Sequence, residues 1–194
     1  MSRIVDRGAV IAAYVGIGMA VTMAIGFLLV LPIQPIYLLL SVPGGMIIGY
    51  YANARAGRER GAWRRILPNA LFAGAVTGLS LAVLLLGTRA LFFFGDSGYP
   101  DFNRTDEHGV PYGATCQPGA DCVYQRYLKL DDKGALAAAG ISDAAGFSIA
   151  YWSEQASAAQ FIVAVTAGAA LLGGVLFGIA GPRRPLPATA AALA

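Results

Sequence analysis

Charge is what this chain has least of. Asp, Glu, Lys and Arg together make up 13% of its 194 residues, about half of the ~25% usual in soluble domains. So little charge excludes an ordinary cytosolic enzyme, a nucleic-acid-binding module and a disordered chain, which stay soluble through charge and polarity. Histidine is scarcer still. His108 is the only one, so haem held by two imidazoles inside a bundle is out of reach. Neither His-x-Glu nor His-Glu-x-x-His occurs, which removes the commonest metal motifs. Gly-x-Ser-x-Gly is missing too, and with it the nucleophile elbow of serine hydrolases. No catalytic residue, cofactor site or metal site is expected.

What is present is apolar sequence: 57% hydrophobic residues and a mean hydropathy of +0.60. A bilayer core of ~30 Å takes about 20 residues of helix at ~1.5 Å each. The 47 residues from Gly8 to Ala54 carry no charge, too many for one crossing. Pro32 and Pro35 divide them, because proline lacks the amide donor and clashes with the preceding turn. The expectation is an all-α integral membrane protein with a four-transmembrane-helix bundle. Its helices cover about 9–31, 36–54, 68–94 and 158–181, the third opened by Pro68 in a first turn. Residues 1–8 form a short tail, 55–67 an Arg-rich loop, 95–157 a loop domain and 182–194 a disordered tail. The first helix is too long for a signal peptide's apolar region, typically ~7–15 residues, and no polar mature segment follows it.

Charge asymmetry orients the bundle. The two tails and the 55–67 loop carry nine cations (Arg3, Arg7, Arg55, Arg58, Arg60, Arg64, Arg65, Arg183 and Arg184) against Asp6 and Glu59, a balance of +7. The 95–157 loop has four cations against nine acids, or −5. Lys and Arg collect on the cytoplasmic side of short loops. Both termini are therefore expected inside the plasma membrane and 95–157 outside it. The pI near 9.0 reflects topology and not affinity for nucleic acid. Arg55, Arg58, Arg60, Arg64 and Arg65 fix orientation and face anionic lipid, at about 1 kcal/mol per cation.

In lipid, helices associate through close backbone approach, so small residues mark contact faces. Each expected span has a ladder at spacing four: Gly8, Ala12, Gly16, Ala20 and Ala24; Ser41, Gly45 and Gly49; Ala70, Gly74, Gly78 and Ala82; Ala170, Gly174 and Gly178. Gly74, Gly78, Gly174 and Gly178 are the interface candidates, facing either the rest of the bundle or another subunit. Pro43-Gly44-Gly45 predicts a kink in the second helix. The one ionisable group inside a span is Arg89, late in the third helix, where its stem can snorkel to water. Leu91-Phe92-Phe93-Phe94 after it reads as an interfacial aromatic belt.

The long loop holds the only two cysteines, Cys116 and Cys122, around a Pro-Gly turn. On the oxidising side they are expected to form a structural disulfide, because the Cys-x-x-Cys of thiol oxidases is absent. The loop is rich in aromatics, Trp152 among them as an anchor candidate. Asp131 to Ala139 is helix-prone, and Ser142 is placed to cap a short helix leading into the last span. Asp106-Glu107-His108 reads as solvated loop, and Asn103-Arg104-Thr105 as a chance sequon. The functional expectation is an accessory or structural membrane protein without catalysis of its own. It would act through contacts of its helices and outer loop with other membrane subunits or with itself. The alternative is a transporter or channel component using the kinked helix and Arg89.

Overall fold

The computed structural model describes residues 4–30, 34–95, 116–130 and 134–183. Among them lie six helices and no strand: α1 (Arg7–Val30), α2 (Gln34–Arg55), α3 (Trp63–Gly95), α4 (Ala120–Leu130), α5 (Ala135–Ala138) and α6 (Ala144–Ala180). α1, α3 and α6 are long and apolar enough to cross a membrane. The Asp106–His108 segment, the sequon at Asn103 and the tail from 184 onward lie outside the described residues.

Two helices are longer than the spacing of prolines and charges predicts. α3 starts at Trp63, so Pro68 sits inside it and not in the first turn. One turn of helix precedes the proline, started by backbone bonds from Arg65 N and Ile66 N to the Ala62 carbonyl at 2.9 and 3.0 Å. α6 begins at Ala144 and runs unbroken for 37 residues, absorbing the short helix expected before the last span. Its cap is Asp143 and not Ser142: Gly146 N donates to Asp143 Oδ1 at 2.6 Å, the usual satisfaction of a first-turn N–H by a short carboxylate.

The chain forms two compact units, 1–84 with 159–194, and 85–158, so both boundaries fall within α3 and α6. In unit 1 the buried hydrophobics are mostly alanines: Ala9, Ala12, Ala20, Ala52, Ala70, Ala73 and Ala170 have no exposure. Large aliphatics and Tyr14 point outward, with Ile17, Ile47, Leu71, Leu79, Val83, Leu172 and Ile179 all exposed. Small inside and large apolar outside is the pattern of helices bathed in hydrocarbon, where burial of bulk gains nothing.

Glycine makes the close approaches possible. A Cβ on Gly45 would come within 2.6 Å of the Thr166 carbonyl oxygen and 2.8 Å of Ala169 Cβ, and one on Gly49 within 2.6 Å of Ala170 C. Gly173 returns the contact, lying against the backbone of Met46. α2 and α6 thus meet backbone to backbone. Gly16 takes the Thr77 side chain, which joins α1 to α3, and Gly8 abuts the Arg55–Ala56 backbone at the end of α2.

Unit 2 is built the other way. Phe93, Val123, Tyr124, Phe147 and Tyr151 form its core, with Phe92, Tyr127 and Trp152 packed around them. α4 supplies Val123, Tyr124 and Tyr127, and a disulfide joins Cys116 to Cys122 at a Cα separation of 5.4 Å.

Candidate functional site

The polar chemistry of unit 1 converges where α1 begins and α2 turns into α3. Asp6 is the N-cap of α1: its carbonyl accepts from Ala9 N at 3.0 Å and Val10 N at 3.3 Å. Its carboxylate does not cap the helix but turns to Arg58. Arg58 Nε donates to Oδ2 at 2.8 Å and Nη2 to Oδ1 at 2.6 Å, the two-pronged geometry in which guanidinium and carboxylate bind most strongly. Arg58 reaches this position because Gly57 and Gly61 hold the turn with φ of 62° and 83°, a conformation that favours glycine.

Two fully buried asparagines back the pair. Asn69 accepts from Asp6 N at 3.0 Å and donates to Asp6 Oδ2 at 2.7 Å and to Asn53 Oδ1 at 3.4 Å. Asn53 in turn donates to the carbonyls of Gly49 at 3.0 Å and Ile66 at 3.1 Å. Every side-chain amide atom here has a partner, which removes the penalty of burying it. Burial pushes the Asp6 pKa up, but hydrogen bonds from Arg58 and Asn69 and the charges of Arg58 and Arg65 outweigh it and hold the carboxyl below its ordinary 3.8. The network closes α1, α2 and α3 together at one end. α6 joins through the turn: Arg60 N donates to the Pro182 carbonyl and Gly61 N to that of Gly178, both at 3.0 Å. The Trp63 ring lies over Gly178.

This polar clasp was not expected from the sequence. Asp6 figures there only in the charge balance. A signal was available: the chain has three asparagines, and two of them flank the Arg-rich turn.

The residues singled out from the sequence fall in three places. Gly74, Gly78, Gly174 and Gly178 share one seam between α3 and α6: Gly74 lies against Ala170, Gly78 against Thr166 and Val163, Gly174 against Ala70 and Gly178 against Trp63. Cys116 and Cys122 are bonded to each other in unit 2. Trp152 stacks on Phe94, with ring centroids 5.9 Å apart and planes within 10°, and meets Phe93 edge-on at 5.3 Å. Arg89 is half-buried, in the part of α3 that belongs to unit 2.

Hydroxyls of α3 and α6 in unit 1 turn back on their own backbone. Thr77 donates to the Ala73 carbonyl at 2.8 Å, Ser80 to Val76 at 2.8 Å and Thr166 to Ile162 at 2.7 Å. Among the described residues no group of three or more His, Cys, Asp or Glu is placed to hold a metal ion. The arrangement can therefore fix helix ends and neutralise a part-buried charge, and the Asp6 carboxylate already takes three donors. No family model, curated protein or solved structure matches the chain.

Proposed function

We propose that this is a four-span membrane protein that works through contacts, with its clasp and both termini on the cytoplasmic side and residues 95–157 outside. One observation carries the four spans. The unit boundary cuts α3 after Leu84 and α6 before Ala159, leaving 22 residues of each, Trp63–Leu84 and Ala159–Ala180, in unit 1. α1 has 24 residues and α2 has 22. All four stretches thus come to about 33–36 Å at ~1.5 Å per residue, matched to one hydrocarbon core of ~30 Å.

Action by contact and not by conduction is supported by what fills the interior. A solute crossing a bilayer needs groups that replace its water. Here the buried hydroxyls of Thr77 and Thr166 bond the preceding turn, and glycine lies against backbone along the α2–α6 seam. Pro43-Gly44-Gly45 then serves close packing and not a substrate site. Unit 2, stapled and aromatic, is the part this reading offers to other membrane subunits.

Reporter fusions test the topology: fusions at Gly61 and at Ala194 are expected to read cytoplasmic, and one at Gly119 outside. A Gly61 fusion reading outside overturns it. Purified protein that moves a solute across vesicles, with Arg89→Ala abolishing the flux, replaces this reading with a transporter.

A further inference from the structure

We propose that the turn before α3, together with the first turn of α3, binds the headgroup of an anionic phospholipid through Arg60 and Arg64, while Trp63, Leu67 and Leu71 carry its upper acyl chain. The proposal rests on unit 1 being the membrane bundle. Five arginines lie between the last turn of α2 and the first turn of α3, and the structure sorts them by task. Arg58 is taken up by Asp6, and the charge of Arg65 also acts on Asp6. Arg55 closes α2, where the negative end of the helix dipole favours a cation. That leaves Arg60 and Arg64, both exposed.

The position of Arg64 is electrostatically wrong for the protein alone. Arg64 stands in the first turn of α3, which has no acidic residue, so it faces the positive end of the helix dipole. An external anion removes that mismatch and gains from both cations and the dipole at once. The backbone bonds from Arg60 N to Pro182 O and from Gly61 N to Gly178 O hold the turn in place, so little ordering is needed on binding.

The source of the anion follows from what lies below it. Trp63, Leu67 and Leu71 recur every four residues along one stripe of α3 and are 39%, 36% and 46% exposed. Neighbours at that spacing share a helix face. Cation, then indole, then aliphatics is the order in which a phospholipid presents phosphate, interface and chain. A free phosphate gains nothing from the stripe. A zwitterionic lipid brings its own cation to Arg60 and Arg64.

The test uses the full chain in an uncharged detergent, following thermal unfolding by tryptophan fluorescence. Dioctanoyl phosphatidylglycerol is expected to raise the midpoint by about 2–4 °C or more, as saturating ligand does for a chain of this size. Dioctanoyl phosphatidylcholine and glycerol phosphate at the same concentration leave it in place. The pair R60Q/R64Q loses the shift, while R7Q/R183Q, removing as many charges from the same end of unit 1, keeps it. An equal shift from phosphatidylcholine, an equal shift from glycerol phosphate, or persistence of the shift in R60Q/R64Q each overturns the site. Should R60Q/R64Q not fold, native mass spectrometry of the unmodified protein decides. Phosphatidylglycerol retained in excess over phosphatidylcholine from an equimolar mixture supports the site, and equal retention refutes it. Failure of the topology is distinguishable: Gly61 read as outside with the shift intact moves the lipid to the other leaflet, whereas Gly61 inside with no shift refutes the lipid site alone.

Discussion

The two units of this chain differ in what they bury: mostly alanines in unit 1, with Phe177, Ile48 and Ile66 among them, and mostly aromatics in unit 2. In unit 1 Ala9, Ala12, Ala20, Ala52 and Ala70 are fully buried, while Leu79, Val83 and Leu172 stand outside. In unit 2 the buried residues include Phe93, Val123 and Phe147, and ring centroids lie 4.9 Å apart for Phe93 with Tyr151 and for Tyr127 with Phe147. Under the proposed topology, the difference follows from the solvent each core must compete with. Where hydrocarbon surrounds the helices, bulk gains nothing by burial and only close contact counts. Where water is the competitor, large rings removed from it are the main source of stability. The same twenty side chains are thus read under two rules within one chain of 194 residues.

The sharpest way to break this comparison is to exchange the rules. Gly49→Leu forces a side chain into the Ala170 backbone, which cannot give way as a flexible side chain would. Phe93→Ala empties the centre of the aromatic cluster. Large-to-small changes at such aromatic sites cost about 3–5 kcal/mol, and overpacking costs about 1–3 kcal/mol, occasionally more. The two tryptophans separate the outcomes, since Trp63 lies in unit 1 and Trp152 in unit 2. In single-tryptophan variants, Gly49→Leu is expected to move the Trp63 transition and Phe93→Ala the Trp152 transition. If each substitution moved both transitions equally, the units would not be separate.

Much of this division was legible in the residues, and the unread part has a physical cause. The small-residue ladders stood out because helical geometry returns every fourth residue to one face, whatever lies opposite. The disulfide needed only two cysteines on an oxidising side. The clasp was harder: Asp6 and Arg58 are 52 positions apart and Asp6 and Asn69 are 63, a separation no local pattern encodes. The start of α3 was hidden by Pro68, since proline permits a first turn but does not require one. The membrane pattern also gave no hint of α4, whose residues Tyr124 and Tyr127 meet Phe147 only in the folded unit.

A smaller effect is expected from reducing the disulfide. Closing so short a loop, with the cysteines six positions apart, restricts the unfolded chain by about 2 kcal/mol in the loop-entropy model. Cys116→Ser with Cys122→Ser should lower the Trp152 transition and leave the Trp63 transition where it was. Intact mass after alkylation, with and without reductant, checks the bond itself. A Trp63 transition that falls with it would mean that unit 1 depends on the staple.

The clasp comes next. Because the folded Asp6 carboxyl titrates below its ordinary 3.8, its contribution is present above that value and disappears as pH falls through the folded value. Unfolding midpoints between pH 7 and pH 3 should therefore drop at the acid end in the native protein. In Asp6→Asn the drop should be smaller, from a midpoint already lowered. Hydrogen bonds to charged groups contribute about 1.5–3 kcal/mol, but Arg58 is 34% exposed and water screens its share, so about 1 kcal/mol is the expected loss. An Asp6→Asn profile parallel to the native one would assign the acid sensitivity to other carboxylates.

The smallest change separates packing from conduction. Thr77 Oγ1 donates to the Ala73 carbonyl, which also accepts the helical N–H of residue 77, so Thr77→Val leaves no backbone group stranded. Valine keeps the shape that fills the space at Gly16. Hydrogen bonds within membrane bundles average about 0.6 kcal/mol, and an intrahelical one whose acceptor stays satisfied is expected below that. Thr166→Val, on the α6 side of Gly45 and Gly78, should behave in the same way. Neither variant should alter the midpoint by more than about 2 °C, and vesicles holding either should remain as tight to solutes as those holding the native chain. Were the two hydroxyls the lining of a polar path, their removal would barely touch stability yet abolish a flux that the native protein supports.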